Sequence, residues 1–518
     1  MPKNLSFLKK AWLPILIVLI ALAARLIPGP RIIDDADITF RYAQNILDGN
    51  GFVYNPGERV LGTTTPFYTL LMALIGFFSG GSSARFDWIS LILNTLADSA
   101  TCLLLLRLGQ NLGYRTAGIF AGLAWAVAPF SVTFAIGGLE TSLFVFLMTA
   151  TAAAYIEKRS VMVSLCAILV LLTRPDAIIL IGPLLIDRAW RAFKGIHPVD
   201  PLEFSVFFLP GVFWFLFSSL YFGSPIPHSV SAKSAAYLLT DEAALVRLLQ
   251  HYATLFHQDD YLGSAGIAIG LVLFTALYAI GMRIAWKKCP RLAPWLIYPL
   301  LYFMVFAVAN PLIFRWYLTP PLPALFLLVL IALENLLRLV FKMDGPLEPK
   351  PKPAAAARWL IPVLLVLPVL SLIQAWTLHP DHGPDRPAPE MAYIQLELIY
   401  QQAADWITPQ LQPGDVLAAG DVGVLGYQTR AHILDTVGLN SRESVRYYPL
   451  PTEDYVINYA ISSDLILDEQ PDWLVMLEVY GRNTLLKNDR FLAQYELVHT
   501  IPTDMYGSNG MLVYRRKF

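Results

Sequence analysis

Apolar windows of about 18–22 residues recur along the chain from Trp12 to Trp376, each long enough to cross a hydrocarbon core of about 30 Å. A chain written this way is an integral membrane protein. Its composition agrees: 56% of the 518 residues are hydrophobic and only 15% are charged, and the mean hydropathy is +0.53. The formal net charge of -1, with no basic stripe carrying interleaved aromatics, gives no footprint for nucleic acid. Cys102 and Cys166 lie inside apolar spans and Cys289 in a basic loop, so neither a disulfide framework nor a cysteine metal site is expected. Lys3, Lys9 and Lys10 before the first apolar run read as the flank of an uncleaved signal-anchor.

Lysine and arginine accumulate in short cytoplasmic loops, which orients the spans. With the N-terminus inside, the clusters Lys3/Lys9/Lys10, Arg107/Arg115, Lys158/Arg159, Arg188/Arg191/Lys194, Arg283/Lys287/Lys288/Arg291 and the run from Arg338 to Arg358 all fall inside. This requires that Pro66–Phe78, short and headed by Thr65-Pro66, lies along the outer surface without crossing. The spans expected are 11–28, 88–107, 115–135, 139–157, 160–173, 175–188, 202–222, 262–284, 294–312, 317–340 and 358–378, eleven in all, with the C-terminus outside. The fifth and sixth, split by "TRPD", are expected to form a V with a recessed outer apex. The segment "MDGPLEPKPKPAAAAR" reads as an extended cytoplasmic linker.

The fold class expected is an α-helical polytopic membrane protein with a C-terminal extracytoplasmic α/β domain. Residues 1–378 form the membrane domain, whose first outer loop is 29–87, and 379–518 the soluble domain. The latter has a helix-like stretch at 391–407 and strand candidates at "DVLAA", "AHILD", "DWLVML", "YELVHTI" and "GMLVYR". The absence of a convincing internal repeat weakens a transporter built on paired halves.

Unusual polar groups gather on the outer side of this layout. Asp34, Asp35 and Asp37 open an amphipathic helix running to about Leu47, where plain capping is the alternative to chemistry. "FVYNPGERVL" after it reads as a small hairpin with Pro56-Gly57 at the centre of a type II turn. Glu140 in "GGLETS" stands at the end of a span, where a carboxylate near hydrocarbon needs a partner, a metal or water. Arg174 and Asp176 interrupt an apolar run, and they either pair with each other or serve a ligand. His228 and Lys233 follow the seventh span in "GSPIPHSVSAK", and Arg315 in "NPLIFRWYLTP" is an outer cation that calls for an anion. Carboxylates with cations on one membrane face suit an anionic substrate. One carboxylate can take a proton from a hydroxyl, another can hold a divalent cation, and Arg or Lys can neutralise a phosphate leaving group.

The stretch "DDADITFRYAQNILDGNGFVYNPGERVLGTTTP", with "GGLET", "TRPD", "SPIPHSVSAK", "FRWYL" and, more loosely, "GDVGVLGYQTRAHILDTVGLN", resembles the GT-C membrane glycosyltransferases. The branch it is most similar to is the terminal arabinofuranosyltransferases of bacterial cell-wall glycans. The resemblance implies an inverting enzyme in a bacterial-type plasma membrane. It would take a polyprenyl-phosphate-linked sugar as donor and a glycan, lipid or protein hydroxyl as acceptor on the outer face. It maps the general base to the pair Asp34 and Asp35; Asp34, at or before the helix start, is favoured. Arg41, Glu140, Arg174, Asp176, His228, Lys233, Arg315 and Tyr317 form the expected substrate-binding set. A divalent cation (Mg, Mn or Ca) is expected at Asp35, Glu140 and His228. No P-loop or dinucleotide fingerprint is present, in keeping with a lipid-linked donor. The alternatives are a polytopic transporter or flippase of lipid-linked sugars, and a non-catalytic scaffold whose aspartates only cap a helix.

Overall fold

The computed structural model describes residues 3–256, 263–341, 355–374, 376–377, 386–392 and 395–517. Most of the expected cytoplasmic linker lies outside the described residues. The chain is mostly helical and divides into two compact units. One comprises Met1–Pro30, Ser90–Pro210 and Ala244–Ala392; the other comprises Arg31–Ile89, Gly211–Ala243 and Tyr393–Phe518. The boundary at 378/379 marks a change of composition, whereas compactness cuts elsewhere. The first loop and the segment after residue 210 belong with the C-terminal domain because they share its core.

Among the described residues, five helices are long and apolar enough to cross a membrane: Phe86–Asn111, Pro201–Phe222, Gly263–Lys288, Pro290–Ala309 and Arg315–Val340. Arg115–Val127 and Pro129–Ile136, bent by 45°, count as a sixth if taken as one span. The bend falls at Ala128, which precedes proline and is therefore held extended (φ -61°, ψ 131°). Others of the eleven expected spans form shorter apolar helices, among them Trp12–Leu26, Thr141–Ile156, Ser160–Thr173 and Trp359–Ile373. The "TRPD" break is real: Ser160–Thr173 ends where Arg174, before Pro175, turns extended (φ -155°, ψ 137°), and a new helix runs Ile178–Phe193.

A polar network that the sequence analysis did not single out lies in the middle of the helical unit. Arg25 and Asp98 are both fully buried and bond at 2.8 Å. Arg25 also donates to the Ala126 carbonyl (2.9 Å) and to Ser131 Oγ (2.5 Å). Trp125 Nε1 (3.0 Å) and Ser142 Oγ (2.8 Å) donate to Asp98. A buried ion pair persists only with its remaining hydrogen-bonding capacity filled, which is the case here. Its members sit on five separate helical segments, so it fixes their mutual register.

A two-residue ladder, β1 (Trp376–Thr377) with β2 (Ala388–Pro389), completes the described part of that unit. In the second unit, β3 (Val416–Ala419), β4 (His432–Asp435), β5 (Trp473–Leu477), β6 (Tyr495–Ile501) and β7 (Met511–Arg516) form one sheet in the order β4-β3-β5-β7-β6. All five strand candidates are present. β3 runs parallel to β4 and β5, while β7 is antiparallel to β5 and β6. The helix-like stretch is Gln395–Ile407, and Gly423–Thr429 follows β3 directly.

The first loop is woven into this domain. Asn55 acts as a strand partner, donating to the Ile433 carbonyl (2.9 Å) and accepting from the Ile433 N–H (3.0 Å). Tyr54 Oη donates to the Val422 carbonyl at 2.6 Å, and Tyr42, Phe52, Tyr54 and Leu61 lie in the same core as Leu417, Val424 and Leu434. The expected hairpin is therefore corrected. The turn exists, with Gly57 at φ +90° and the Glu58 N–H on the Asn55 carbonyl at 3.1 Å, but the flanks form no strands. Their backbone groups are spent on side chains instead: the Asn45 amide takes the carbonyls of both Val53 and Tyr54. The helix Pro66–Phe78 buries Tyr68, Met72 and Gly76 and leaves Leu70, Leu74, Phe77 and Phe78 exposed on one stripe, the pattern of a helix lying in an interface.

Candidate active site

Asp34, Asp35 and Asp37 form the first turn of the helix Asp34–Leu47. They are not its N-caps: that position is Ile33, without a side-chain bond. The Asp34 carboxylate is turned to another helix, accepting the N–H of Gly423 on Oδ2 (2.9 Å) and of Val424 on Oδ1 (2.8 Å). Gly423 permits this approach, since a Cβ there would fall on the Asp34 carbonyl oxygen. The Asp34 N–H in turn reaches Glu397 Oε1 at 3.4 Å. Asp34 is buried, with both oxygens committed. Asp35 points elsewhere: its side chain is 34% exposed and lies 3.8 Å from Lys233 Nζ.

A third carboxylate completes the cluster. Asp421 follows the carboxyl end of β3, where open α/β sheets present ligand-binding groups. It accepts hydrogen bonds from Tyr400 Oη (2.9 Å) and Tyr480 Oη (3.3 Å). Burial pushes its carboxyl up to about 6 against those two donors, with Asp35 adding repulsion. Burial likewise pushes Glu397 up to about 7. Asp34 is held well above the usual carboxylate range by burial and then by the charge of Asp421, the two backbone donors opposing. Asp37 is raised by burial and by Glu397 and Asp87. The arrangement thus sets four carboxyls raised by burial, Asp34, Asp37, Glu397 and Asp421, apart from Asp35, which is partly exposed beside a lysine. Asp421 and Glu397 escaped the sequence reading. The signal for Asp421 was an aspartate closing an apolar strand in "VLAAGDVG" just before a helix.

Gly423→Ala is expected to force the helix Gly423–Thr429 away from Asp34, because the obstructing atoms are backbone and cannot rotate aside. A loss of about 1–3 kcal/mol, typical of overpacking, is expected as a lowered thermal midpoint. A midpoint equal to the wild type would show that the Asp34 contact contributes nothing.

Of the remaining expected site residues, four form one cluster and three stand singly. Glu140, Arg174, Asp176 and Tyr317 come together in the helical unit. Arg174 makes a fork on Asp176 (2.9 and 3.0 Å), reaches Glu140 at 3.5 Å and lies over the Tyr317 ring at 4.9 Å. Arg174 and Asp176 do pair with each other. Arg41 is buried and donates to the carbonyls of Tyr54, Arg430 and Ala431. His228 is half-buried, and burial with the nearby Arg442 charge lowers its pKa, so near neutral pH it is not a cation for a phosphate. Arg315 is exposed, and its side chain makes no hydrogen bond or ion pair among the described residues.

The expected metal ligands are not assembled. Asp35 meets Lys233, Glu140 meets Arg174, and among the described residues no three His, Cys, Asp or Glu side chains are grouped to hold a metal ion.

Residues 390–514 match a family model described as a domain of unknown function, DUF8728. Over 120 residues, 22% of this chain, the sequence is 34% identical to the terminal beta-(1->2)-arabinofuranosyltransferase of Mycobacterium tuberculosis, and the match spans only 19% of that relative's length. The oligosaccharyltransferase of Archaeoglobus fulgidus, solved with a tethered acceptor peptide, superposes with a TM-score of 0.56 at 13% identity, covering 99% of this chain and 75% of that one. ArnT from Cupriavidus metallidurans in the apo state gives 0.53 at 13% identity, covering 96% of both chains. The fold is of the GT-C type. Another structure of the archaeal GT-C protein holds zinc and sulfate.

Proposed function

We propose that the protein is a GT-C glycosyltransferase that moves a sugar from a polyprenyl-phosphate carrier to a hydroxyl of a cell-envelope glycan or similar acceptor, at the outer face of the membrane. The observation that carries this reading is the divided acidic pair, Asp34 committed to two backbone N–H groups and Asp35 open beside Lys233. Asp35, rather than the Asp34 first favoured, is assigned as general base. It takes the acceptor hydroxyl proton as that oxygen bonds to the anomeric carbon. The bond from that carbon to the carrier phosphate breaks, the phosphate leaves with the electron pair, and the configuration inverts. Lys233, 3.8 Å away, places a positive charge beside the Asp35 carboxyl. Support comes from the fold and from the partial match to an arabinofuranosyltransferase.

Incubating the purified protein with a panel of polyprenyl-phosphate sugars and an acceptor glycan tests the activity. Release of polyprenyl phosphate from one donor is expected, and no release from any donor under conditions that preserve the fold would contradict it. The exposed Arg315 is proposed as a ligand of the donor phosphate. Arg315→Ala is expected to weaken donor affinity about 10- to 100-fold, the scale of a lost charge-assisted hydrogen bond. Arg315→Lys should weaken it less, since charge survives and only the planar fork is lost. Unchanged affinity in the alanine variant would remove Arg315 from the site.

The eleven-span layout, with Pro66–Phe78 on the outer side, belongs to the same proposal. A cysteine placed at Ser82 is expected to react with an impermeant reagent added outside. Reaction only from the cytoplasmic side would refute the layout.

A further inference from the structure

A small open cleft lies in the helical unit, at the ends of the helices Thr141–Ile156, Ser160–Thr173 and Ile178–Phe193 opposite to Glu140, Arg174 and Asp176. Its lining includes Lys158, Arg188, Arg191, His197, Glu203 and Arg291, four permanent cations against one carboxylate. Two of the cations are used internally. Arg188 grips Glu203 through Nε (2.6 Å) and a second nitrogen (2.7 Å), and also donates to the carbonyls of His197 and Pro198. Arg191 donates to Asp187 at 2.8 Å. These bonds make the wall rigid. The other two, Lys158 and Arg291, form no side-chain hydrogen bond or ion pair among the described residues, although both line the same cleft. Ser160, also in the lining, opens the 14-residue helix Ser160–Thr173, whose first N–H groups receive no side-chain cap. The positive end of that helix adds to the field.

Positive-inside bias places cations in loops, but does not require them to converge on a concavity with two left unpaired. Beside the lining residues in sequence, Trp190, Phe193, Ile196, Leu202 and Phe204 are all more than half exposed. An occupant is therefore anionic at one end and greasy at the other. We propose that this cleft binds the phosphodiester headgroup of an anionic membrane lipid, with Lys158 and Arg291 as its free ligands and the Arg188–Glu203 pair as its floor. Basic pockets between membrane helices are suited to such headgroups. The proposal is independent of the catalytic reading.

The test uses the full chain in nanodiscs of phosphatidylcholine containing a minor fraction of phosphatidylglycerol, with lipid retention after extraction counted by native mass spectrometry. Wild type is expected to retain phosphatidylglycerol in preference to phosphatidylcholine. Lys158→Gln and Arg291→Gln should each reduce that preference roughly five-fold, with thermal midpoints in pure phosphatidylcholine unchanged. Soluble glycerol phosphate should protect the wild type against heating far less than the lipid does. Equal retention of the two lipids by wild type would overturn the site whatever the variants do. Variants that keep the full preference would overturn the ligand assignment. Protection by glycerol phosphate equal to that by the lipid would overturn the lipid as the source of the phosphate.

Discussion

Arg25→Ala is expected to lower stability by about 3–5 kcal/mol, enough to abolish a well-folded preparation, because it strands Asp98 as an unneutralised charge among apolar helices. Truncating Asp98 to alanine should cost as much, leaving Arg25 with a charge and no counter-charge. The magnitude follows from burial: both side chains are inaccessible to water, so no solvent replaces the lost partner. Replacing both at once, Arg25→Met with Asp98→Leu, removes both charges and should be tolerated better than either alanine variant. Thermal unfolding of the purified proteins in mild detergent checks this ordering. Single variants that melt with the wild type would show that the network is not what holds these helices in register.

That network was illegible in the sequence for a physical reason. Arg25 lies in "ALAARL" at the end of an apolar run, where a charge reads as a membrane boundary, and Asp98 is one acid in an otherwise apolar helix. Only folding shows that they meet. Strands were legible because "DWLVML" and "YELVHTI" carry enough apolar and β-branched content to declare themselves locally. The hairpin was misread for the opposite reason. Its turn is local and was right, but whether flanks become strands depends on a partner edge, and here the Asn45 and Asn55 amides supply the bonds. Among site residues, the pairing of Arg174 with Asp176 was visible from their spacing. The different fates of Asp34 and Asp35 were not, because they depend on Gly423, Val424 and Lys233, hundreds of positions away.

Asp35→Asn is expected to reduce turnover about 10²–10⁴-fold, the usual worth of a positioned general base, while leaving the fold intact. The carboxamide matches the carboxylate in shape but cannot accept the acceptor proton near neutral pH. Asp35 is partly exposed and its one described ion-pair contact, to Lys233, is long, so stability hardly depends on it. Asp34→Asn should behave differently. One of its two oxygens becomes an NH₂ group aimed at a backbone N–H, a buried donor facing a donor, costing about 1–3 kcal/mol. Its activity loss should track the loss of folded protein.

The most direct measurement is the single-turnover rate of polyprenyl-phosphate release at saturating donor, for wild type, Asp35→Asn and Asp34→Asn, each corrected for its folded fraction. The assignment of Asp35 as base requires that Asp35→Asn remain slower by about 10²-fold or more after correction while Asp34→Asn recovers most of the wild-type rate. Asp35→Asn turning over at the corrected wild-type rate would contradict it.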